Sequence, residues 1–453
     1  MLDPDISTAD ARRLLSQPDL TSDVLGPNGW TRRKFLQAIG GGVIGGAALG
    51  TFGDRLGLGH LGFDLPDAFA ANPIGAHDGI VVNIVLYGGN DGLNTVVPYT
   101  NGAYYDVRGP NYGNLAIPAS QVLPLDGTFG LHPSLGYTKR LWDAGQLAIV
   151  HGVGYPNPDL SHFTSMAIWM AGKFGAGSPG TGWVGRWLDG QPAATADLMA
   201  ATIGSSVPLH LLGAVRRAVA VPENGANMFG TGDEPPEVRM FNGLRALSAT
   251  PAGRGQWHDM YATVLKTQLN LAVEVSPVYS PEPTGDAFVR KMTVAARLIN
   301  ANLGFRVLDL GLDGFDTHDS QPADHATLLA QLDTGLATFF STLDAAYYSR
   351  VTVVTMSEFG RTPFSNDSAG TDHGTATTAF LLGGAVKGGR VLADWPGLGD
   401  AALHEGRDLK PTTDLRAILK GVLVEHLGLD AGRVGSLVFP DSGLVRPISG
   451  LVA

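Results

Sequence analysis

The chain has 453 residues, of which 44% are hydrophobic and 16% are charged, so it can build one large buried core or two smaller ones. Its formal net charge is −11, and it has no basic patch with interleaved aromatic residues, which argues against nucleic acid as a partner. It has no cysteine, which excludes disulfides, thiol nucleophiles and zinc–thiolate sites.

The N-terminal segment has the pattern of a twin-arginine (Tat) export signal. Arg32-Arg33 precedes an uncharged apolar run over 37–52, and Ala68-Phe69-Ala70 is a small-residue cleavage motif. We therefore predict that 1–70 is a leader that is removed, and a retained membrane anchor is the alternative. The expected partner is the Tat translocase, and the expected location is the periplasm, cell wall or exterior. Contact with the membrane is expected only through the leader.

The rest of the chain, 71–453, alternates strand-like and helix-like runs. Five β-branched or apolar runs that end at glycines or polar residues predict buried strands: Ile80–Tyr87, Leu147–Val150, Arg306–Leu312, Val351–Met356 and Thr378–Gly384. Three amphipathic runs predict helices: Phe288–Ala301, His325–Tyr347 and Thr413–Leu427. This alternation predicts an α/β fold, a doubly wound and mostly parallel sheet sandwiched by helices. The Gly- and Pro-rich range 171–285 is expected to be an insertion or cap.

Polar residues follow several of the predicted strands, where the ligands of such sheets bind. They are Asp91, Asp316, His318, Glu358 and His373. Three carboxylates with two imidazoles suit a divalent ion such as zinc, manganese or iron. The spacing Asp316-x-His318 puts both side chains on one side of an extended segment. Asp91 could instead be only a turn residue, and His373 only a structural loop residue.

Ser161 is the predicted nucleophile, because it stands where a strand-following loop opens a helix and its hydroxyl can meet an anion there. His162 and Arg361 are further catalytic candidates. Ser161 could be only a helix cap, His162 only a hydrogen-bonded structural residue, and Arg361 either an anion clamp or a surface cation. The run 151–154 could also be the oxyanion loop of a serine hydrolase, but the chain has no G-x-S-x-G motif.

The chain resembles a bacterial family of Tat-exported proteins of unknown function within the alkaline phosphatase and sulfatase superfamily. The matching motifs, in order, are Gly-Gly-Asn-Asp-Gly-Leu-Asn-Thr (88–95), Leu-His-Pro-Ser-Leu (131–135), Pro-Asp-Leu-Ser-His-Phe (158–163), Gly-Phe-Asp-Thr-His (314–318), Ser-Glu-Phe-Gly-Arg-Thr (357–362) and Asp-His-Gly (372–374). The resemblance implies a two-metal site for phosphoryl or sulfuryl transfer. It implies that Asp91 and Glu358 bind one ion, that Asp316, His318 and His373 bind the other, and that Ser161 attacks between them.

Three departures from the superfamily pattern leave the chemistry open. Glu358-Phe359 stands where an aspartate followed by histidine is common, Asp316 and His318 are unusually close, and no formylglycine motif occurs. A one-metal enzyme, an altered chemistry and an inactive scaffold all stay possible. The leading hypothesis is an exported metal-dependent hydrolase of small anionic phosphate or sulfate esters, and the alternative is a non-catalytic binding or envelope protein on the same fold.

Overall fold

A computed structural model describes residues 72–110, 113–174, 180–192, 198–225, 235–251, 253–392 and 394–452. The predicted export signal and cleavage motif lie outside these residues. The chain divides into two compact units, of which the larger contains Ala71–Glu223 and Pro281–Ala453. The described part of the smaller unit lies within Asn224–Ser280 and consists of 224–225, 235–251 and 253–280.

The larger unit is built on a nine-stranded sheet. Its strands are β1 (Ile80–Tyr87), β5 (Leu147–Gly154), β6 (Ala200–Ile203), β7 (Val219–Val221), β8 (Val307–Asp313), β9 (Val351–Met356), β12 (Thr377–Leu382), β13 (Arg390–Leu392) and β16 (Thr413–Asp414). The order is β13-β5-β12-β9-β1-β8-β6-β7, and β16 pairs with β5. Only β12 runs antiparallel to its neighbours in this sheet, while the other pairings are parallel. The predicted α/β class with a mostly parallel sheet is confirmed.

The described residues also form three small sheets that are separate from the main sheet. They are β2 (Val96–Val97), β3 (Leu123–Pro124) and β4 (Gly130–Leu131) in one three-stranded sheet, β10 (Gly360–Arg361) with β11 (His373–Gly374), and β14 (Leu403–His404) with β15 (Asp408–Leu409). The β10–β11 pair places Arg361 opposite His373. It therefore brings together two segments that each carry a predicted site residue.

Twelve α-helices are present in the described residues. They are α1 (Gly92–Thr95), α2 (Gly102–Arg108), α3 (Gly136–Asp143), α4 (His162–Ala171), α5 (Trp183–Asp189), α6 (Pro235–Ser248), α7 (Gln256–Val275), α8 (Ala287–Asn300), α9 (Gln321–Thr342), α10 (Ala345–Tyr348), α11 (Leu415–Glu425) and α12 (Ala431–Arg433). Short helical turns occupy Leu209–Leu211, Ser276–Tyr279, Asp400–Ala402 and Val434–Val438. Among these described segments, no helix has both the length and the apolar character needed to cross a membrane.

The helix predicted over His325–Tyr347 is two helices in the structure. Helix α9 starts earlier, at Gln321, and ends at Thr342, because Leu343 takes an extended backbone conformation. Asp344 then precedes the short helix α10. The apolar spacing runs through both helices, so it could not reveal the break between them.

The range 171–285 is only partly an insertion. Strands β6 and β7 from this range belong to the main sheet, where β6 pairs in parallel with β8. Helices α6 and α7 lie in the smaller unit and pack against each other. The cap interpretation is therefore wrong for the two strands, which are too short for their alternation to be recognised in a Gly- and Pro-rich context.

Candidate metal centre

Parallel strands bring distant parts of the chain to one edge of the sheet. β1 lies between β8 and β9, so the segments after these three strands leave the sheet together. Asp316 and His318 follow β8, Glu358 follows β9, and Gly88 follows β1. His162 is the first residue of α4, after the loop that leaves β5.

Three imidazoles converge on a single oxygen, Oδ1 of Asp316. The Nε2 atoms of His162, His318 and His373 lie 3.3, 3.0 and 3.1 Å from it. The Nε2 atoms of His318 and His373 are 2.9 Å apart. His162, Asp316 and His373 each offer one ligand atom, and these three atoms all lie within 4.8 Å of one another. We call these three residues the histidine–aspartate centre.

The far nitrogens of two of these rings are already used as donors. Nδ1 of His373 lies 2.7 Å from the carbonyl oxygen of Leu160, which can only accept, so this Nδ1 donates. Nδ1 of His162 lies 2.9 Å from Oε1 of Glu358 and donates to that carboxylate. In a neutral ring the opposite nitrogen, Nε2, then carries a lone pair. Metal-binding histidines are oriented by hydrogen bonds of this kind from the nitrogen that does not bind.

The two lone pairs are suited to bind a cation, and that of His373 can also accept a hydrogen bond from Nε2 of His318 at 2.9 Å. Nε2 of His162 is buried and has no hydrogen-bond partner. It faces the Asp316 carboxylate instead, as does Nε2 of His373. Two lone pairs directed at an anionic oxygen repel it unless a proton or a metal ion lies between them. The donor set of two imidazoles and one carboxylate suits zinc, manganese or iron.

The neighbouring residues and burial set the protonation states of Asp316 and His373. Burial would raise the pKa of Asp316, but the hydrogen bond and the charge of Arg361 outweigh it and lower the pKa to about 2. Burial lowers the pKa of His373 from its ordinary value. At neutral pH the centre therefore presents a carboxylate beside a neutral His373, the protonation states that metal ligation requires.

Glu358 is the hydrogen-bond partner of His162, one of the candidate ligands. Its side chain is buried, and Oε1 accepts from His162 and from the backbone amide of Gly88 at 2.9 Å each. Oε2 accepts from the Ser357 hydroxyl at 3.1 Å. With both oxygens hydrogen-bonded, Glu358 orients His162. Glu358, which was predicted to be a metal ligand, therefore contacts the centre through His162.

Arg361 does not fit either of its predicted roles, anion clamp or surface cation. Its side chain is fully buried, and its guanidinium donates to Oδ1 of Asp316 at 2.5 Å. The remaining donors reach backbone carbonyls, those of Gly88, Gly89, Phe315 and Thr371. Arg361 therefore holds Asp316 and three surrounding loops in place, and its fully buried guanidinium is not exposed to a substrate.

Asp91 has a different set of partners from those predicted for a metal ligand. It is buried, caps α1 through the amides of Leu93 and Asn94, and pairs with Nη1 of Arg108 at 2.5 Å. Nε2 of Gln321 donates to the same Oδ2 oxygen, also at 2.5 Å. Burial opposes ionisation, but the Arg108 charge outweighs it and holds the pKa of Asp91 below its usual value. Arg108 thus supplies the positive charge that a second metal ion was expected to supply.

Ser161 is the N-cap residue of α4, as predicted, but its hydroxyl makes no capping hydrogen bond. The residue is exposed, and its backbone amide donates to Oδ1 of Asp159 at 2.8 Å. The hydroxyl is adjacent in sequence to His162 and is not committed to the helix. A cap-only role for Ser161 therefore has no support in the hydrogen bonding.

The sequence analysis did not identify several residues of this region. Asp372 lies 3.5 Å from Nδ1 of His318, and Arg108 and Gln321 bind Asp91. Asp372 could have been found, because it adjoins His373 in a loop that was already singled out. Arg108 ends the short helix α2, and Gln321 begins α9 ahead of the predicted start of that helix, and no sequence pattern marks either residue as a partner of Asp91. By contrast, His151 lies fully buried within β5, where it cannot form an oxyanion loop.

Two buried histidines near the Asp91–Arg108 ion pair predict that the protein loses stability at acidic pH. Burial is the main cause that lowers the pKa of His325 to about 3 and that of His132 to about 4. Unfolding returns each to about 6.5, so the unfolded state binds more protons below that pH, and stability is lost as pH falls. We expect the free energy of unfolding to fall by about 2 kcal/mol per histidine between pH 7.5 and 5. Urea unfolding at several pH values measures this.

Glutamine variants test the source of that slope. His325→Gln and His132→Gln should each flatten the dependence of unfolding free energy on pH, because glutamine does not titrate. His77→Gln, at an exposed residue, is the matched control and should leave the slope unchanged. An unchanged slope in both buried variants would contradict the prediction.

The fold and the centre together define an α/β protein with a candidate histidine–carboxylate metal centre at the carboxyl edge of its sheet. A family model described as "Protein of unknown function (DUF1501)" matches residues 79–438. The chain therefore belongs to the DUF1501 family, which confirms the expected membership in a family of unknown function. No curated protein matches the sequence significantly.

Three of the solved structures with a similar fold come from bacteria. A protein in the alkaline phosphatase superfamily from Vibrio parahaemolyticus is 10% identical, with 84% of this chain and 72% of that chain covered and a TM-score of 0.36. The lipoteichoic acid synthase LtaP from Listeria monocytogenes is 9% identical, with 81% and 77% covered and a TM-score of 0.34. Alkaline phosphatase from the Antarctic bacterium TAB5 is 9% identical, with 70% and 95% covered and a TM-score of 0.33.

Proposed function

We propose that this protein is an exported, metal-dependent hydrolase of phosphate or sulfate esters with Ser161 as its nucleophile. One observation carries the proposal: Nε2 of His162 and Nε2 of His373 both face the ionised Asp316, while their Nδ1 atoms are held as donors by Glu358 and Leu160. The Arg32-Arg33 signal and its apolar run support export.

His162, Asp316 and His373 would hold one divalent ion, with His318 beside them. When bound, the ion would supply charge stabilisation to the oxygens of the ester and favour the ionised form of the nucleophile. The residues expected to bind a second ion are engaged elsewhere, since Asp91 is paired with Arg108 and both Glu358 oxygens accept hydrogen bonds. Of the options left open by the sequence, we therefore favour the one-metal enzyme.

The absence of a capping hydrogen bond and the exposure of Ser161 support its role as the nucleophile. Its hydroxyl is exposed, makes no capping bond and adjoins His162 at the start of α4. The serine oxygen would bond to phosphorus or sulfur as the alcohol oxygen of the ester leaves. Water would then hydrolyse the covalent ester and restore the serine.

Ser161→Ala tests this proposal. We expect the variant to keep its metal content and to lose at least about 1,000-fold of its turnover of 4-nitrophenyl phosphate or sulfate, because removal of a nucleophile costs rates of this order or more. Thr164→Ala, at the exposed residue one turn further along α4, is the control and should keep full turnover. Metal content is measured by elemental analysis of both variants.

Other outcomes separate the alternatives. Full turnover in Ser161→Ala would contradict the role of serine. A wild-type protein that binds metal but cleaves none of these esters, nor the corresponding diesters, would favour the non-catalytic binding protein. A wild-type protein that binds no divalent ion would remove the basis of the proposed function.

A further inference from the structure

An enzyme that acts on an anionic ester gains from a cation that is exposed and close to its centre. The two buried arginines of the site region do not meet this need. The side chains of Arg361 and Arg108 are fully buried, and their guanidinium groups are used by backbone carbonyls, Asn94 and the carboxylates of Asp316 and Asp91. The predicted anion clamp must therefore be another residue.

Arg407 contacts the centre from outside. Its Nη2 donates to the backbone carbonyl oxygen of His373 at 2.8 Å. Its side chain is 48% exposed, in contrast to the two buried arginines. Arg407 therefore contacts a residue of the histidine–aspartate centre and is also open to solvent.

The hairpin that carries Arg407 is fixed against the loop of His373. Arg407 lies in the turn between β14 and β15, where its amide donates to the carbonyl oxygen of His404 at 3.0 Å. The Thr375 hydroxyl donates to the carbonyl oxygen of Leu409 in β15 at 2.5 Å. These contacts hold the base of the side chain in place, so that binding an anion costs little loop ordering.

The charge of Arg407 is only weakly balanced. Its ion pair is with Asp408, at a distance of 3.4 Å between Nη1 and Oδ2. Asp408 is itself buried, and burial raises the pKa of its carboxyl group, which disfavours the ionised form. The 3.4 Å separation makes this pair a long one, and nearly half of the Arg407 side chain is exposed, so the guanidinium stays accessible to an external anion.

We propose that Arg407 binds the non-bridging oxygens of the phosphate or sulfate group of the substrate. This inference rests on the proposed function of the centre and adds a residue that recognises the anion. A planar guanidinium with parallel donors suits the oxygens of a tetrahedral oxyanion. Arg407 then fulfils the role that the sequence analysis offered to Arg361.

The test is titration calorimetry of the metal-loaded full chain with inorganic phosphate and, separately, with sulfate. Arg407→Gln should weaken binding of the preferred anion by about 10- to 100-fold, since hydrogen bonds to charged groups contribute on that scale. Arg407→Lys should fall between this variant and the wild type. Arg433→Gln, at an exposed arginine of α12, is the matched control and should bind like the wild type.

Metal content, measured on each variant, separates anion recognition from support of His373. If Arg407→Gln loses metal, or binds both anions as tightly as the wild type with metal retained, the role of Arg407 in anion binding is overturned while the centre stands. If the wild type binds neither metal nor anion, the proposed function and this inference fail together. Weakened anion binding with unchanged metal content supports the inference.

Discussion

Replacement of His373 by alanine is expected to weaken metal binding by at least about 100-fold, because even the loss of an outer hydrogen-bond partner of a metal ligand costs about 10- to 100-fold. His373 offers Nε2 to the centre, 3.1 Å from Oδ1 of Asp316, and donates its Nδ1 proton to Leu160. The wild-type chain should hold one divalent ion. Elemental analysis after dialysis against a series of chelators of increasing strength measures both the number of bound ions and their affinity.

A second variant distinguishes a metal ligand from a residue that orients a ligand. Glu358→Gln keeps the shape of the side chain and weakens the hydrogen bond to Nδ1 of His162, so we expect a loss of about 10- to 100-fold in metal affinity. His77→Ala removes an exposed histidine outside the centre and is the control. Equal metal affinity in His373→Ala and His77→Ala would contradict the assignment of the centre.

The parts of the fold with a strong local pattern could be predicted from the sequence. The β-branched run Ile80–Tyr87 is strand β1 to the residue, since it ends where Gly88 takes a positive φ of 117°. Strand β9 also has the predicted bounds, Val351–Met356. The strands β6 and β7 were missed because four and three residues are too few for a pattern to stand out.

The convergence of site residues could be predicted only in part. Strand ends meet at one edge by the topology of parallel sheets, and this reasoning placed Asp316, His318 and His373 in one region, where the structure has them within 3.1 Å of one another. The same reasoning cannot distinguish a carboxylate that faces the site from one that is already paired. Asp91 meets Gln321, 230 positions away, and Arg108, 17 positions away, and neither partner carries a local signal.

Replacement of Arg108 by methionine is expected to lower the free energy of unfolding by about 3–5 kcal/mol, since it leaves the buried charge of Asp91 without its partner. Both side chains are fully buried. The same change removes hydrogen bonds from Arg108 to the carbonyl oxygens of Thr362 and Pro363. Urea unfolding followed by tryptophan fluorescence measures the loss.

The double variant Asp91→Asn with Arg108→Met decides whether the cost comes from the unpaired charge. Asparagine keeps a carbonyl oxygen that can cap α1 but carries no charge, so the double variant should be more stable than the sum of the two single losses predicts, by about 1–3 kcal/mol. Asp91→Asn should also retain the single ion of the centre, because Arg108, and not a metal, balances the charge of Asp91. Loss of an ion in Asp91→Asn, or strictly additive effects, would instead restore Asp91 to the metal site that the family resemblance implied.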